Sequence, residues 1–360
     1  MPKNLRHEFR SELIKQRKSG LRTSRNEIKK AKGGKMADYR HIYSDNSYKK
    51  HLSRAQRFAD YCKQNGVKNF AQITPEFAQK YLEFERDKSI NGYSGYSAST
   101  IASDALMINH IMIGSNHWRE ADKLVKSKIT GMPHRSTKIA TQRQKPLASS
   151  EWVKRYPHTY NAYKSQITAL RAFGLRRREL VGGTSKNGSD GLGDRSLYEK
   201  NGHIWAITQG KGGKIRWTAC RQDLENEIKQ EFHGHIRPWS ERPRSKADFK
   251  HNLKFNQPFY KPYSHNVPTH IFRAEYAQHM ITQLNHADYS GQTRQKAYYA
   301  RAGRKPNGKF KYIKKMKTVN LEKCYQIGGY KAQYGAFYRL SELMGHNRID
   351  VLQCYLGEGH

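Results

Sequence analysis

Cysteine is scarce in this chain, and acid is scarce relative to base. The four cysteines, Cys62, Cys220, Cys324 and Cys354, are scattered without a Cys-x-x-Cys pair, which excludes the common zinc spacings and a dense disulfide framework. The N-terminus, Met1 to Arg6, lacks the apolar run of about 7–15 residues that a signal peptide needs, and nowhere is there a run of about 20 that would span a bilayer. The chain is therefore expected to be soluble and cytoplasmic, with no membrane partner. Asp and Glu number 30 against 67 Lys and Arg, and they form no carboxylate cluster of the kind a two-metal nuclease uses. A Walker A loop is missing too: Gln209-Gly210-Lys211-Gly212-Gly213-Lys214 fails the Gly-x4-Gly-Lys-Ser/Thr spacing, so nucleotide binding is not indicated.

What is present is base, in excess. The formal net charge is +37 over 360 residues, and self-repulsion of that size opposes compactness unless a polyanion is the partner. Apolar residues reach 36% and aromatics 11%, too much for a wholly disordered basic chain. The 23 tyrosines beside Lys and Arg suit a surface that meets phosphates and bases, although many of the rings must be core. Length alone suggests two domains.

Residues 1–43 are read as a basic N-terminal extension, solvated or disordered. A short basic helix is the alternative, because Leu5, Phe9 and Leu13 recur every four residues. From residue 44 the pattern is helical. Ser44 and Asp45 cap a face of Tyr48, Leu52, Ala55 and Cys62 that ends at Asn65-Gly66. Thr74-Pro75-Glu76 starts a second helix, and Ser97 to Thr100 opens a third carrying Ile101, Ala105, Ile108 and Met112. A fourth is expected over His117 to Lys128. Residues 129–147 read as a basic linker. A second domain runs from Ala148: a helical pattern from Tyr160 to Val181 interrupted by Gly174, then strands at His203–Thr208 and Ile215–Cys220 around the Lys211 turn. A helix over Asp223–Phe232, an irregular stretch at 233–268, a helix near Thr269–Leu284 and a terminal helix pair complete it.

The terminal pair draws attention first. Leu340, Leu343 and Met344 share one helical face, Gly345 is a stop, His346 follows, and Tyr355 ends a short helix opened by Asp350. That spacing can aim an imidazole and a phenol at one point; an ordinary amphipathic tyrosine is the plain alternative. Arg176, Arg177 and Arg178 sit in an apolar helical pattern and could simply form a solvated face paired with Glu179. His270 and Arg273 lie at i and i+3 on one helix face, a phosphate clamp or merely a surface pair.

Taken in order, Arg176 with Glu179, Lys211 in its Gly-Lys-Gly turn, His270-x-x-Arg273, Gly345-His346 and Tyr355 resemble the catalytic set of the tyrosine recombinases, the phage-integrase family. Lys214 competes with Lys211 for the lysine position. The resemblance covers about 310 residues and implies a mainly α fold with a small β component: an N-terminal all-α core-binding (SAM-like) domain at 44–128 and a mixed α+β catalytic domain at 148–360. The two would grip duplex DNA as a C-shaped clamp. It implies site-specific recombination or integration for a mobile genetic element at double-stranded DNA sites, by a homotetramer on synapsed DNA. Accessory DNA-bending proteins would assist, and neither cofactor nor metal would be needed. Tyr355 would be the nucleophile, Arg176 and Arg273 the phosphate clamp, Lys211 the general acid, and His270 and His346 partners of the scissile phosphate. A type IB topoisomerase-like relaxase uses similar chemistry, and a non-catalytic basic DNA-binding protein would explain the charge alone.

The chain departs from the family pattern at Ala274, where a second basic residue is usual, and in its long 233–268 stretch. Leu356 to His360 alone follow Tyr355, which speaks against the C-terminal tail exchange of some relatives. An insertion near 286–337 separates Arg273 from His346. Within it, Arg294 to Lys317 contain ten Lys and Arg and no acid. With the turn signal Lys305-Pro306-Asn307-Gly308, this predicts a β-hairpin arm that has Phe310 and Tyr312 on one face and Lys309 and Lys311 on the other. A disordered basic loop is the alternative.

Overall fold

The structure is a computed structural model. It describes residues 4–23, 27–28, 38–90, 97–124, 148–183, 190–210, 213–261, 267–304, 310–346 and 348–357, excepting the side chains of 89–90 and 297–314. The linker 129–147, Lys211 and the 305–308 turn lie outside the described residues. The chain divides into two compact units, 1–136 and 137–360.

The first unit is helical. Helices α1 (Leu5–Arg22), α2 (Asp45–Gln64), α3 (Pro75–Ile90) and α4 (Ala98–Gly114) enclose one core. Three starts follow the expected capping chemistry. The Ser44 hydroxyl accepts from Ser47 N, Thr74 Oγ1 accepts from Phe77 N ahead of Pro75, and the Ser97 hydroxyl accepts from Thr100 N.

For Leu5–Arg22, the reading of residues 1–43 as a solvated extension is overturned. Leu5, Phe9 and Leu13 are buried, and the Phe9 ring stacks on Phe58 at 5.7 Å. Basic composition hid the helix because its inward polar groups are paired: Gln16 Nε2 donates to His110 O at 2.6 Å and Arg17 Nη2 to Asp45 at 2.7 Å. Gly20 sits where a side chain would strike the Ile42 backbone. The fourth helix expected over 117–128 is also corrected over residues 117–124, and 125–128 lie outside the described residues. Asn116 turns left-handed at φ 63°, and the described part holds a single 3-10 turn at Glu120–Asp122.

The second unit is α+β, as expected. Helices α5 (Ala148–Arg155), α6 (Pro157–Ala162), α7 (Lys164–Phe173) and α8 (Arg177–Val181) precede strands β1 (Leu197–Lys200), β2 (His203–Gln209) and β3 (Ile215–Ala219). Helix α9 (Glu225–Glu231), strand β4 (Ile236–Pro238), α10 (Lys246–Phe255) and α11 (Thr269–Asn285) follow. The sheet order is β3-β2-β1-β4, with β4 parallel to β1 and the other pairs antiparallel. The irregular reading of 233–268 missed α10, whose Ser245 and Asp248 form a reciprocal capping box and whose Phe249 is buried. The surrounding prolines masked that signal.

Helix α11 is the centre of this unit. Ile271 and Phe272 belong to one apolar cluster, and Ala274, Tyr276, Ala277, Met280 and Ile281 to another. A helix apolar on several sides is buried between layers rather than laid on a surface. Beyond it run two separate ribbons, β5 (Thr293–Arg304) with β6 (Phe310–Asn320), and β7 (Cys324–Ile327) with β8 (Tyr330–Gln333). Helix α12 (Tyr334–Leu343), a 3-10 turn at Ile349–Leu352 and α13 (Gln353–Leu356) close the chain. The hairpin expected in the insertion is present as β5–β6; the side-chain alternation expected around Phe310 and Tyr312 lies outside the described side chains.

Candidate active site

The site begins at the end of α7. Gly174 takes φ +57°, the left-handed stop that favours glycine, and a side chain there would collide with the Tyr276 ring of α11. The chain then turns so that Arg176 becomes the cap of α8. Its backbone N–H donates to Glu179 Oε2 at 2.8 Å and its guanidinium to Glu179 Oε1 at 2.6 Å. Instead of lying on a solvated face, Glu179 is 1% exposed.

Two further arginines reach the same carboxylate. Arg216 of β3 donates to Glu179 Oε2 at 2.7 Å, and Arg273 Nη1 of α11 lies 3.8 Å from it. Burial by itself would raise the Glu179 pKa, but the charges of Arg216, Arg273 and Arg176 and the Arg216 hydrogen bond outweigh it and hold the carboxyl at about 2. One carboxylate cannot neutralise three guanidiniums, so the cluster keeps a net positive charge. Such a cluster is suited to an anion such as a phosphate.

Arg216 was not anticipated from the sequence. A usable signal existed: β3 alternates, and Arg216 shares the inward face with Thr218. A charged residue at an inward strand position marks a buried pair. Arg216 also donates to the carbonyl oxygens of Leu343 and, at 3.4 Å, Gly174. Arg273, fully buried, donates to the same Gly174 oxygen and to Met344 O. These bonds tie α7, β3, α11 and the end of α12 together. Burial, then the neighbouring Arg216 and Arg176, lower the Arg273 pKa to about 10.

The end of α12 delivers His346. Gly345 turns at φ +73° as expected of a stop, and His346 N donates to Ser341 O at 2.8 Å. Its imidazole Nε2 lies 3.5 Å from Arg273 Nη2, and its ring centroid 5.5 Å from that of Tyr355. Burial and then Arg273, Arg176, Arg216 and Lys214 push the imidazole down to about 3, so it is neutral. Tyr355 rides on α13, held from two sides. Gln278 of α11 donates to Tyr355 O at 3.1 Å, and Gly329 N, in the turn between β7 and β8, donates to Gly357 O at 2.7 Å.

Of the six residues singled out from the sequence, the structure brings together Arg176, Arg273, His346 and Tyr355. His270 stands exposed on the first turn of α11, one turn before Arg273. Lys211 lies outside the described residues. The competing Lys214 reaches the site: its Nζ donates to Gly345 O at 3.1 Å, and burial followed by Arg216 and Arg176 lowers its pKa. No group of three or more His, Cys, Asp or Glu suited to a metal ion occurs among the described residues, and no described helix is long and apolar enough to cross a membrane.

No family model and no curated protein matches the chain. Among solved structures, the XerH site-specific recombinase bound to difH in a pre-cleavage complex is similar at 11% identity and TM-score 0.44, over 98% of this chain and 91% of that one. The same recombinase on a palindromic difH substrate, in a post-cleavage complex, gives 12% identity, TM-score 0.44 and coverages of 98% and 90%. XerA recombinase gives 12%, 0.22, 98% and 94%. Likenesses this distant assign no activity.

Proposed function

We propose that this chain is a site-specific DNA recombinase or integrase that cuts and rejoins strands through Tyr355. The observation that carries the reading is the convergence of Tyr355, the neutral imidazole of His346 and Arg273 beside a net-positive cluster around Glu179. A phosphodiester is shielded by negative charge, and guanidiniums in fork geometry favour its pentacoordinate transition state. Tyr355 Oη attacks the phosphorus and the bond to the 5′ oxygen breaks. The phenolic proton passes to an acceptor; unprotonated His346 has the lone pair for it, and the charge of the incoming phosphate offsets the arginines that hold its basicity down. A lysine, Lys214 or Lys211, protonates the leaving oxygen. The product is a 3′-phosphotyrosyl link with a free 5′-OH, and attack by a second 5′-OH reverses the step. The link keeps the energy of the bond, so rejoining needs neither nucleotide hydrolysis nor a metal.

Exchange between two double-stranded sites needs four cuts, hence four copies of the chain, with DNA-bending partners where the sites must be folded together. His270, exposed one turn before Arg273, would meet the scissile phosphate from the solvent side.

The test uses supercoiled plasmid carrying two copies of the DNA that borders the chain's own element. Rearranged products with a covalent protein–DNA adduct support a recombinase. Site-independent relaxation alone indicates a topoisomerase-like relaxase, and no adduct indicates a binding protein. Tyr355→Phe is expected to lose the adduct and keep DNA binding, since only the nucleophilic oxygen goes; an adduct in that variant would assign the chemistry to another tyrosine.

A further inference from the structure

The ribbon β5–β6 takes no part in the site just described, and its construction is unusual for a surface hairpin. Strand β5 has 12 residues and β6 has 11, paired from Thr293↔Asn320 to Arg304↔Phe310. Among the described residues neither strand joins another sheet. Of its described side chains, Val319 alone is buried. An isolated two-stranded hairpin is marginal in water without a packed face, and this one carries ten Lys and Arg between Arg294 and Lys317 with no Asp or Glu. Like charges on paired strands repel; the register sets Lys296 opposite Lys317, and Tyr298 opposite Lys315.

The root of the ribbon is pinned. The Arg294 guanidinium stacks 3.4 Å over the Tyr338 ring and lies 3.7 Å from Glu342, and Lys296 Nζ is 5.6 Å from the Tyr334 ring centroid. All three partners belong to α12, the helix whose end delivers His346. The ribbon is thus tied at its base to helix α12 and is exposed at Lys315 and Met316. At about 3.3 Å per residue each strand spans about 40 Å, a little more than one turn of B-DNA at about 34 Å. A two-stranded ribbon also matches the major groove, about 12 Å wide.

We propose that the β5–β6 ribbon is a nucleic-acid arm. Its occupant is duplex DNA, whose phosphates supply the negative charge that the ribbon's own sequence lacks between Arg294 and Lys317. The inference rests on the proposed function for the presence of DNA and adds a contact surface separate from the Tyr355 site. Basic residues carried on two paired strands suit a phosphate backbone, and each phosphate contact releases bound counterions.

The test is a variant of the full chain, R301Q/K311Q/K314Q/K315Q, which keeps side-chain length and removes four charges. Binding to a labelled random-sequence duplex is followed by anisotropy across a salt series. The expected result is weaker binding and a salt slope flatter by about 0.9 for each phosphate contact removed. Covalent adduct formation on saturating DNA should be retained. A second variant, with residues 298–314 replaced by a Gly-Ser turn, checks the same outcome if the substitutions disturb folding, judged by circular dichroism and thermal melting. Unchanged affinity and slope in both variants, with the adduct still formed, overturns the arm and leaves the proposed chemistry standing. Weakened binding in a chain whose unmodified form never makes an adduct supports the arm and overturns the chemistry. Unchanged binding with loss of self-association in sedimentation overturns the DNA arm and makes the ribbon a contact between copies.

Discussion

The Arg273 guanidinium lies under the Tyr355 ring, 5.5 Å from its centroid, while its own donors go to the Gly174 and Met344 carbonyls. Arg273 is fully buried, whereas the Arg176 side chain keeps 28% of its surface exposed. The two arginines expected to share one job therefore sit in different states. Arg176 is open to an incoming phosphate, and Arg273 holds the frame on which His346 and Tyr355 rest.

Arg176→Ala and Arg273→Ala are each expected to slow cleavage by about 10²–10³-fold, the first by losing a transition-state donor and the second by losing the frame that places His346 and Tyr355. They should separate in stability. Arg273→Ala takes a donor from the Met344 carbonyl and leaves the Gly174 carbonyl only its 3.4 Å bond from Arg216, and should cost on the order of 3 kcal/mol, while Arg176→Ala should cost much less. Urea denaturation beside single-turnover cleavage reads both; equal stability loss would show that Arg273 is not the framing residue.

Glu179 makes the site's stability depend on pH. Its folded pKa of about 2 lies below the ordinary 4.5, so its contribution is fully present above about 4.5 and is lost as pH falls toward 2. The contribution is on the order of 3 kcal/mol. Denaturation midpoints of wild type and Glu179→Gln should converge across that window. Parallel curves down to the lowest pH would remove Glu179 as the hub.

His346 should stay neutral in the folded chain well below the usual imidazole range. Its pKa of about 3 lies under the ordinary 6.5, so stability from this group is present above about 6.5 and is lost as pH falls toward 3. Ring-carbon NMR signals of His346 should be flat where exposed histidines titrate. A midpoint near 6.5 would mean that the arginines do not face it.

Phe9→Ala tests the integration of α1. A fully buried ring stacked on Phe58 should cost about 3–5 kcal/mol when truncated. Thermal melting that does not respond would return residues 1–22 to a loose extension.

Capping at Ser44, Thr74 and Ser97, the alternation of β2 and β3 and the Gly345 stop depend on neighbours a few residues apart, so spacing alone determined them. The residue types of the site, an imidazole and a phenol near one end and arginines upstream, were equally visible. Their convergence was decided by the tertiary structure. Glu179 became a buried hub because arginines from β3 and α11 fold onto it, and Arg216 gained its role from a strand whose inward face meets that carboxylate. The acceptors that orient Arg216 and Arg273 are the main-chain oxygens of Gly174, Leu343 and Met344. A backbone carbonyl is the same at every position, so no side-chain pattern announces it. Only the packing of α7, α11 and α12 around one point selects those three.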